Sequence, residues 1–406
     1  MKWDDSNLRI LAASVDYYPM TGGVATYTNA LCQALSAHSC SVRLIAPNSC
    51  SAPTDTNADY SVFIDRFSRE NCSAGPVWDS KERSRTTQLI EQQIAEFNPD
   101  RLLAFHLHYY GQAMVEVAAK YCLKSSLIIH GLEITKPTVE ANFLQDALHR
   151  FRTRQTTMRT ETRKTLQRAD EILVNSTATA LRVKSVSGRF DAKVIGAGGP
   201  SMEVNKTYEE HRNGLYEAKK SLGIDPSMHV IGTVSRIVKH KNISIIIKML
   251  SNVADTQAII VGEGPEKTNL QRLANDLGLQ NRILFSGQIS ENDKIKHLLA
   301  MDCFCLASLE TKNGSYEGFG IALLEANALG IPVIAARSGG MTDIVKDGRT
   351  GRNFDPKSVD DLAAVFEETL KNQSAASQQV RSLQAFVQYK FTWRRIAARL
   401  LNDWSR

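Results

Sequence analysis

Two glutamates eight residues apart, Glu317 and Glu325, flank a glycine-bearing turn in the run Glu317-Gly318-Phe319-Gly320-Ile321-Ala322-Leu323-Leu324-Glu325-Ala326. The first amides of a helix have no partner within it and the helix dipole favours negative charge there, so the amides of Phe319, Gly320 and Ile321 can face a phosphate. Glu317, before the helix, and Glu325, two turns inside it, can accept hydrogen bonds from hydroxyls such as those of a sugar ring. A plainer reading makes Glu317 a cap and Glu325 a surface residue, but Glu325 stands among apolar neighbours, and a buried carboxylate needs partners. Upstream, Arg236 follows the apolar run HVIGTVS and Lys241 comes five residues later. A planar guanidinium and a mobile ammonium on one loop suit a diphosphate; the alternative is solvated surface. Near the N-terminus, Gly22 and Gly23 lie between a strand-like run and a helical pattern, where a turn without side chains can bring amides against a phosphate or be no more than a tight turn.

Such groups need a scaffold that gathers strand ends. Short runs rich in Ile, Val and Leu alternate with longer helical patterns, which points to βαβ units and an α/β class with parallel sheets. LRILAAS, SVRLIAP, RLLAF, SLIIHG and EILVNS are the strand candidates of the first half, and HVIGTVS, QAIIVGEG, RILFSG, CFCLAS and PVIAA those of the second. The polar, Gly-rich stretch 196–214 between the two series reads as an interdomain connection. The expected division is a Rossmann-like domain over 1–200, a second over 215–385, and a C-terminal helix over 386–406 that returns to the first. Ligands of open parallel sheets bind beyond the carboxyl ends of the strands, so two such sheets are expected to face a central cleft that holds the site.

Composition narrows the partners. The formal charge of +6 is shared evenly, with 23 Lys/Arg against 20 Asp/Glu in residues 1–200 and 26 against 23 in 201–406, so neither half is a nucleic-acid arm. Seven cysteines without repeated spacing argue against a disulfide framework and for a reducing, cytoplasmic setting. Cys303 and Cys305 alternate on one face of a strand and read as core. No signal-peptide pattern opens the chain and no window approaches eighteen apolar residues. His106 and His108 alternate like a metal pair, but no third ligand is apparent, so one of them is expected to line the cleft and no metal is expected. One stretch, 149–168, carries seven Lys/Arg against Glu161 alone, with Leu144, Leu148, Phe151 and Met158 at helical steps. It reads either as a core-facing helix with a solvated basic face or as a peripheral contact with anionic membrane, on its inner face, or with a phosphate-bearing lipid acceptor.

The run EGFGIALLEANALGIPVIAARSGGMTDIVKDGRTGRNFDP resembles the donor-binding core of glycosyltransferase family 4. The likeness extends over most of the chain in order: Gly22-Gly23, His130-Gly131-Leu132-Glu133, Arg236 with Lys241, Val261-Gly262-Glu263-Gly264-Pro265, Phe285-Ser286-Gly287, and Glu317 to Glu325. The loop SLETKNGSYEGFG resembles the branch containing phosphatidylinositol-mannoside mannosyltransferases and cell-surface polysaccharide enzymes. Ser235, Asn242 and Asp343 stand where the family more often has Gly, Gly and Glu.

The resemblance implies a GT-B architecture of two Rossmann-like domains and a retaining, metal-independent transfer of a hexose from GDP-mannose or a UDP-hexose. The acceptor would be a saccharide or a lipid-linked one. It implies that Arg236 and Lys241 hold the donor diphosphate with help from Gly23 and the backbone at Gly320 and Ile321. Glu325 would grip the ribose, Glu317 the transferred sugar, and His130 would sit over that sugar. The segments around Gly287 and Ser308 would seat the base, and Glu263 belongs to the same donor-binding set. Two rivals remain on the same scaffold: a nucleotide-sugar epimerase, which would consume donor without acceptor, and a non-catalytic sugar-nucleotide binder.

Overall fold

The computed structural model describes residues 8–17, 23–47, 60–65, 80–135, 159–199, 206–312 and 314–404. They form two compact units, residues 1–198 with 393–406, and residues 199–392.

The first unit holds seven parallel strands: β1 (Arg9–Ala13), β2 (Ser41–Pro47), β3 (Ser61–Asp65), β4 (Arg101–Ala104), β5 (Lys124–Ile129), β6 (Glu171–Val174) and β7 (Lys193–Val194). Their order is β3-β2-β1-β4-β5-β6-β7. Helices α1 (Gly23–Ser36), α2 (Ser80–Phe97), α3 (Tyr110–Tyr121), α4 (Leu132–Thr135), α5 (159–168) and α6 (Thr177–Ser187) connect them. The central strands are buried almost throughout, as continuous Ile/Leu/Ala runs covered on both faces require.

The second unit opens with α7 (Tyr208–Ser221) and pairs β8 (His229–Val234), β9 (Thr256–Val261), β10 (Ile283–Gly287), β11 (Cys303–Leu306), β12 (Val333–Ala336) and β13 (Arg352–Phe354), all parallel, in the order β10-β9-β8-β11-β12-β13. Its other helices are α8 (Ser244–Met249), α9 (Lys267–Asp276), α10 (Glu291–Leu299), α11 (Ile321–Ala328), α12 (Met341–Ile344), α13 (Val359–Lys371) and α14 (Gln373–Lys390). In each sheet the chain builds outward one way and then restarts from the centre the other way. That creates a switch point between β1 and β4 in the first unit and between β8 and β11 in the second, where the loops part and a ligand can enter.

All ten expected strands are present. Three more, β3, β7 and β13, lie at sheet edges, and β7 and β13 span only two and three residues. The division between the units falls within the stretch 196–214, whose later part enters α7, which starts at a reciprocal cap in which Thr207 Oγ1 accepts from the Glu210 amide at 3.1 Å and the Thr207 amide donates to Glu210 Oε2 at 2.6 Å. The expected boundary at 385/386 falls inside α14. The final helix, α15 (Trp393–Trp404), packs in the first unit. There the Trp393 ring fills the space a Cβ on Gly198 would need, 2.4 Å away, and the Trp404 indole donates to Glu171 at 2.7 Å.

Beneath the second sheet, Asp302 is 1% exposed and gathers Lys219 at 2.7 Å, Arg212 at 2.5 Å and the Val230 amide at 2.8 Å, so α7 is tied to the strand bases by charge as well as packing. Cys303 and Cys305 are buried core residues. Among the described residues no helix is long and apolar enough to cross a membrane.

Candidate functional site

The loops after β8 and β11 meet at the second unit's switch point. The Leu309 amide donates to the His240 carbonyl at 2.8 Å, joining the two loops by their backbones. Across this junction Lys241 Nζ pairs with Glu317, and Ser308 Oγ donates to the same carboxylate oxygen at 3.1 Å. Both members of the pair are largely buried. Burial alone would raise the Glu317 pKa; the charge and hydrogen bond of Lys241, with His240 and Ser308, outweigh it and hold the carboxyl below its ordinary value. Glu317 is fixed from behind, because the Gly340 amide donates to its carbonyl at 2.9 Å and a Cβ on Gly339 would stand 2.3 Å from that oxygen.

Three residues singled out from sequence, Lys241, Ser308 and Glu317, are thus in one cluster. Ser308, whose segment is expected to seat the base, gives its side-chain hydroxyl to the carboxylate. Arg236 lies exposed on the loop after β8 and makes no ion pair among the described residues. Its loop is rigidly set: the Ser235 amide donates to Val261 O at 3.0 Å and the Ile237 amide to Glu263 O at 2.8 Å. Gly262 and Gly264 have positive φ, and a Cβ on either would stand 1.9 Å from Ser235 O or 2.3 Å from Ile237 O, so only glycine permits this contact. Glu263 pairs with Lys267 at 2.5 Å and lies over Gly287, whose Cβ would meet the carboxylate at 2.9 Å.

At α11 the cap residue Gly320 has φ +99° and no side chain closes the helix start, which leaves first-turn amides available to an anion. Gly318 and Ile321 are half-buried, and Phe319 packs its ring on Phe391, centroids 5.2 Å apart. Glu325 is not a solvated surface carboxylate. It pairs with Lys294 of α10 at 3.1 Å, and both side chains are mostly covered. Lys294 carries no motif, and its partnership is visible only in three dimensions.

In the first unit, Gly23 is the first residue of α1 and open space lies where its Cβ would be; Gly22 lies outside the described residues. One turn on, Tyr27 meets the His130 ring edge-on at 4.9 Å and donates to Gly196 O at 2.9 Å. His130 follows β5. Its amide donates to Glu133 Oε1 at 2.7 Å, and its Nε2 sits 3.1 Å from Phe105 O. A carbonyl can only accept, so Nε2 carries the proton and Nδ1 is left as an acceptor. Burial lowers its pKa and keeps the ring neutral. His106 and His108 are each pushed down to about 4, by burial above all, and His108 Nε2 donates to Glu133 O at 2.9 Å. No group of three metal-ligating side chains occurs among the described residues. Of the basic stretch, 149–158 lies outside the described residues along with Leu144 and Leu148; Arg159, Arg163, Lys164 and Arg168 are exposed on α5, whose Thr162, Thr165 and Leu166 are buried.

Comparison with known proteins follows the two units. A family model described as Glycosyl transferases group 1 matches residues 216–385, and one described as Glycosyltransferase Family 4 matches 21–196. A GDP-mannose-dependent alpha-(1-6)-phosphatidylinositol monomannoside mannosyltransferase of Mycolicibacterium smegmatis is 34% identical over 176 residues, 42% of this chain and 46% of that protein. The monoacylated-substrate counterpart from Corynebacterium glutamicum is 34% identical over 190 residues, 45% and 49%. The chain spans about half the length of the curated relatives it matches. Among solved structures, Anabaena Alr3699/HepE in complex with UDP has a TM-score of 0.76 at 18% identity, covering 98% of this chain and 100% of that one. Sucrose-phosphate synthase from Thermosynechococcus elongatus scores 0.75 at 19%, covering 98% of each. The fold is that of the GT-B glycosyltransferases.

Proposed function

The chain belongs to family 4 of the glycosyltransferases, and on that footing we propose that it moves a hexose from GDP-mannose or a UDP-hexose to a saccharide or lipid-linked acceptor with retention of configuration. The observation that carries this reading is the cluster of Lys241, Ser308 and Glu317 at the switch point of the second unit. A charged ammonium already seated against a carboxylate there can exchange that partner for the donor's phosphates when they arrive. Arg236, exposed on a rigid loop, adds a fork-shaped cation, and the uncapped start of α11 adds amides. Together they would draw off the negative charge that develops on the leaving diphosphate, the role a metal plays elsewhere, so no metal is required. Glu317, released by Lys241, would face the sugar and stabilise positive charge at the anomeric carbon.

The first unit would take the acceptor, with His130 Nδ1 offered to a hydroxyl. Curated relatives act on phosphatidylinositol mannosides, and the exposed cations of α5 support a lipid-linked acceptor met at the inner, cytoplasmic face of a membrane. Incubating the protein with each donor and an acceptor panel, with mass spectrometry of products and NMR of the new anomeric centre, tests the proposal. A glycosylated acceptor in the donor's own anomeric configuration is expected. Donor turnover without an acceptor would favour the epimerase, and nucleotide binding without any turnover the scaffold protein.

A further inference from the structure

Two aromatic rings behind His130 take no part in the transfer proposed above. Tyr27, on α1, is 1% exposed, and its ring meets three others at steep angles: Trp393 at 4.8 Å, His130 at 4.9 Å and Phe105 at 6.4 Å between centroids. Burial pushes the phenol's pKa up, so it stays a neutral donor, and it donates to Gly196 O at 2.9 Å. The ring is therefore anchored at its far end as well as along its sides. Trp393 opens α15 at the point where the chain re-enters the first unit, and its indole lies on Gly198, where the chain leaves that unit. A Cβ on Gly198 would overlap the indole, so the seat exists only for glycine.

His130 needs such a brace. Its amide donates to Glu133 and its carbonyl accepts from Asn175 Nδ2 at 3.1 Å, which fixes the backbone. The imidazole itself has one hydrogen bond, from Nε2 to Phe105 O, and a carbonyl accepts over a broad range of directions. The outer torsion of a histidine is broad and roughly two-fold, so neighbours must decide its plane and which nitrogen faces which group. Tyr27 supplies that restraint, because the perpendicular contact, 80° between planes, is lost when the imidazole turns. We propose that Tyr27 and Trp393 are positioning residues for the transfer: Trp393 braces the Tyr27 ring, and Tyr27 sets the plane of His130 so that Nδ1, the nitrogen left as acceptor, faces the reacting hydroxyl. This rests on the role given to His130 above. The effect of both rings travels through the imidazole, so it falls on turnover and not on donor binding.

Ring-nitrogen NMR of isotopically labelled histidine, with His130→Gln to assign the signal, reads the tautomer of His130, and initial rates with GDP-mannose and UDP-glucose over the acceptor panel read transfer. The wild type should show a single Nε2–H tautomer. Tyr27→Leu and Trp393→Leu should mix the tautomers and lower kcat about tenfold to a hundredfold with donor KM changed less than about twofold, the scale of a misplaced reacting group. Tyr27→Phe, which keeps the ring, should keep the tautomer and most of kcat. Should Trp393→Leu fail to fold, Trp393→Phe takes its place with a smaller effect in the same direction. An inactive His130→Gln beside leucine variants that retain one tautomer and normal kcat overturns this inference alone, as does equal loss in Tyr27→Phe and Tyr27→Leu. Normal transfer by His130→Gln overturns the role given to His130, and a wild type that turns over no donor overturns the transfer reading; this inference falls with either.

Discussion

At the scale of single residues, the Lys241–Glu317 pair sets what mutation will show. Removing one member leaves the other charged, largely buried and uncompensated, so a single truncation should destabilise as well as inactivate. Lys241→Met is expected to melt below the wild type, and the double variant Lys241→Met/Glu317→Gln above that single variant. All of them should lose transfer by roughly a hundredfold to a thousandfold, the scale of one lost transition-state contact. Calorimetry and initial rates check both halves, and near-normal turnover in any variant contradicts the assignment. Because the folded Glu317 pKa is depressed, its contribution to stability is full above the unfolded value of about 4.3 and is lost as pH falls below it. The coupling between Lys241 and Glu317, measured by double-mutant cycle, should therefore shrink on acidification through that range. The types and loop positions of these two residues were legible in the sequence. Their pairing was not, because 76 residues separate them and only the strand order brings their loops together.

At the scale of elements, the loops after β8 and β9 behave as one part because glycine lets their backbones touch. Gly262→Ala would drive a Cβ into the Ser235 carbonyl and shift the loop that carries Arg236 and Lys241. Weaker nucleotide binding is expected even though residue 262 offers no side chain to the ligand, and an unchanged Kd would show that the loop's position is unimportant. The central strands could be read from sequence because burial on both faces makes them uniformly apolar, as in SLII of β5 and VIAA of β12. β7 and β13, of two and three residues, carry too few side chains for any periodicity to register. The start of α7 was readable in principle from Thr207 and Glu210, a spacing hidden inside a polar stretch. Lys294 left no trace in sequence, since a lysine in an amphipathic helix looks the same whether its ammonium meets water or a carboxylate two elements away.

At the scale of the whole molecule, buried histidines should govern acid stability. His106, His108 and His211 are each lowered from 6.5 to about 4, chiefly by burial. The unfolded chain therefore binds more protons between those values, and stability should fall as pH drops from about 6.5 toward about 4, earlier than carboxylate protonation alone would bring. A melting temperature flat over that window would contradict the buried, neutral assignment. Asp302→Asn should cost about 3–5 kcal/mol by stranding Lys219, whose side chain is 4% exposed, as urea unfolding would report. The fold class was legible because the parallel order makes the central strands apolar, and the same order gathers polar groups at their carboxyl ends. The central claim is that this end of the second unit binds a diphosphate through Arg236 and Lys241. Calorimetric titration of UDP and GDP against UMP and GMP tests it most directly, on the wild type and Arg236→Ala. The second phosphate should tighten binding about tenfold or more in the wild type and contribute much less in the variant; diphosphates that bind no better than monophosphates, or a variant that keeps the full difference, would contradict it.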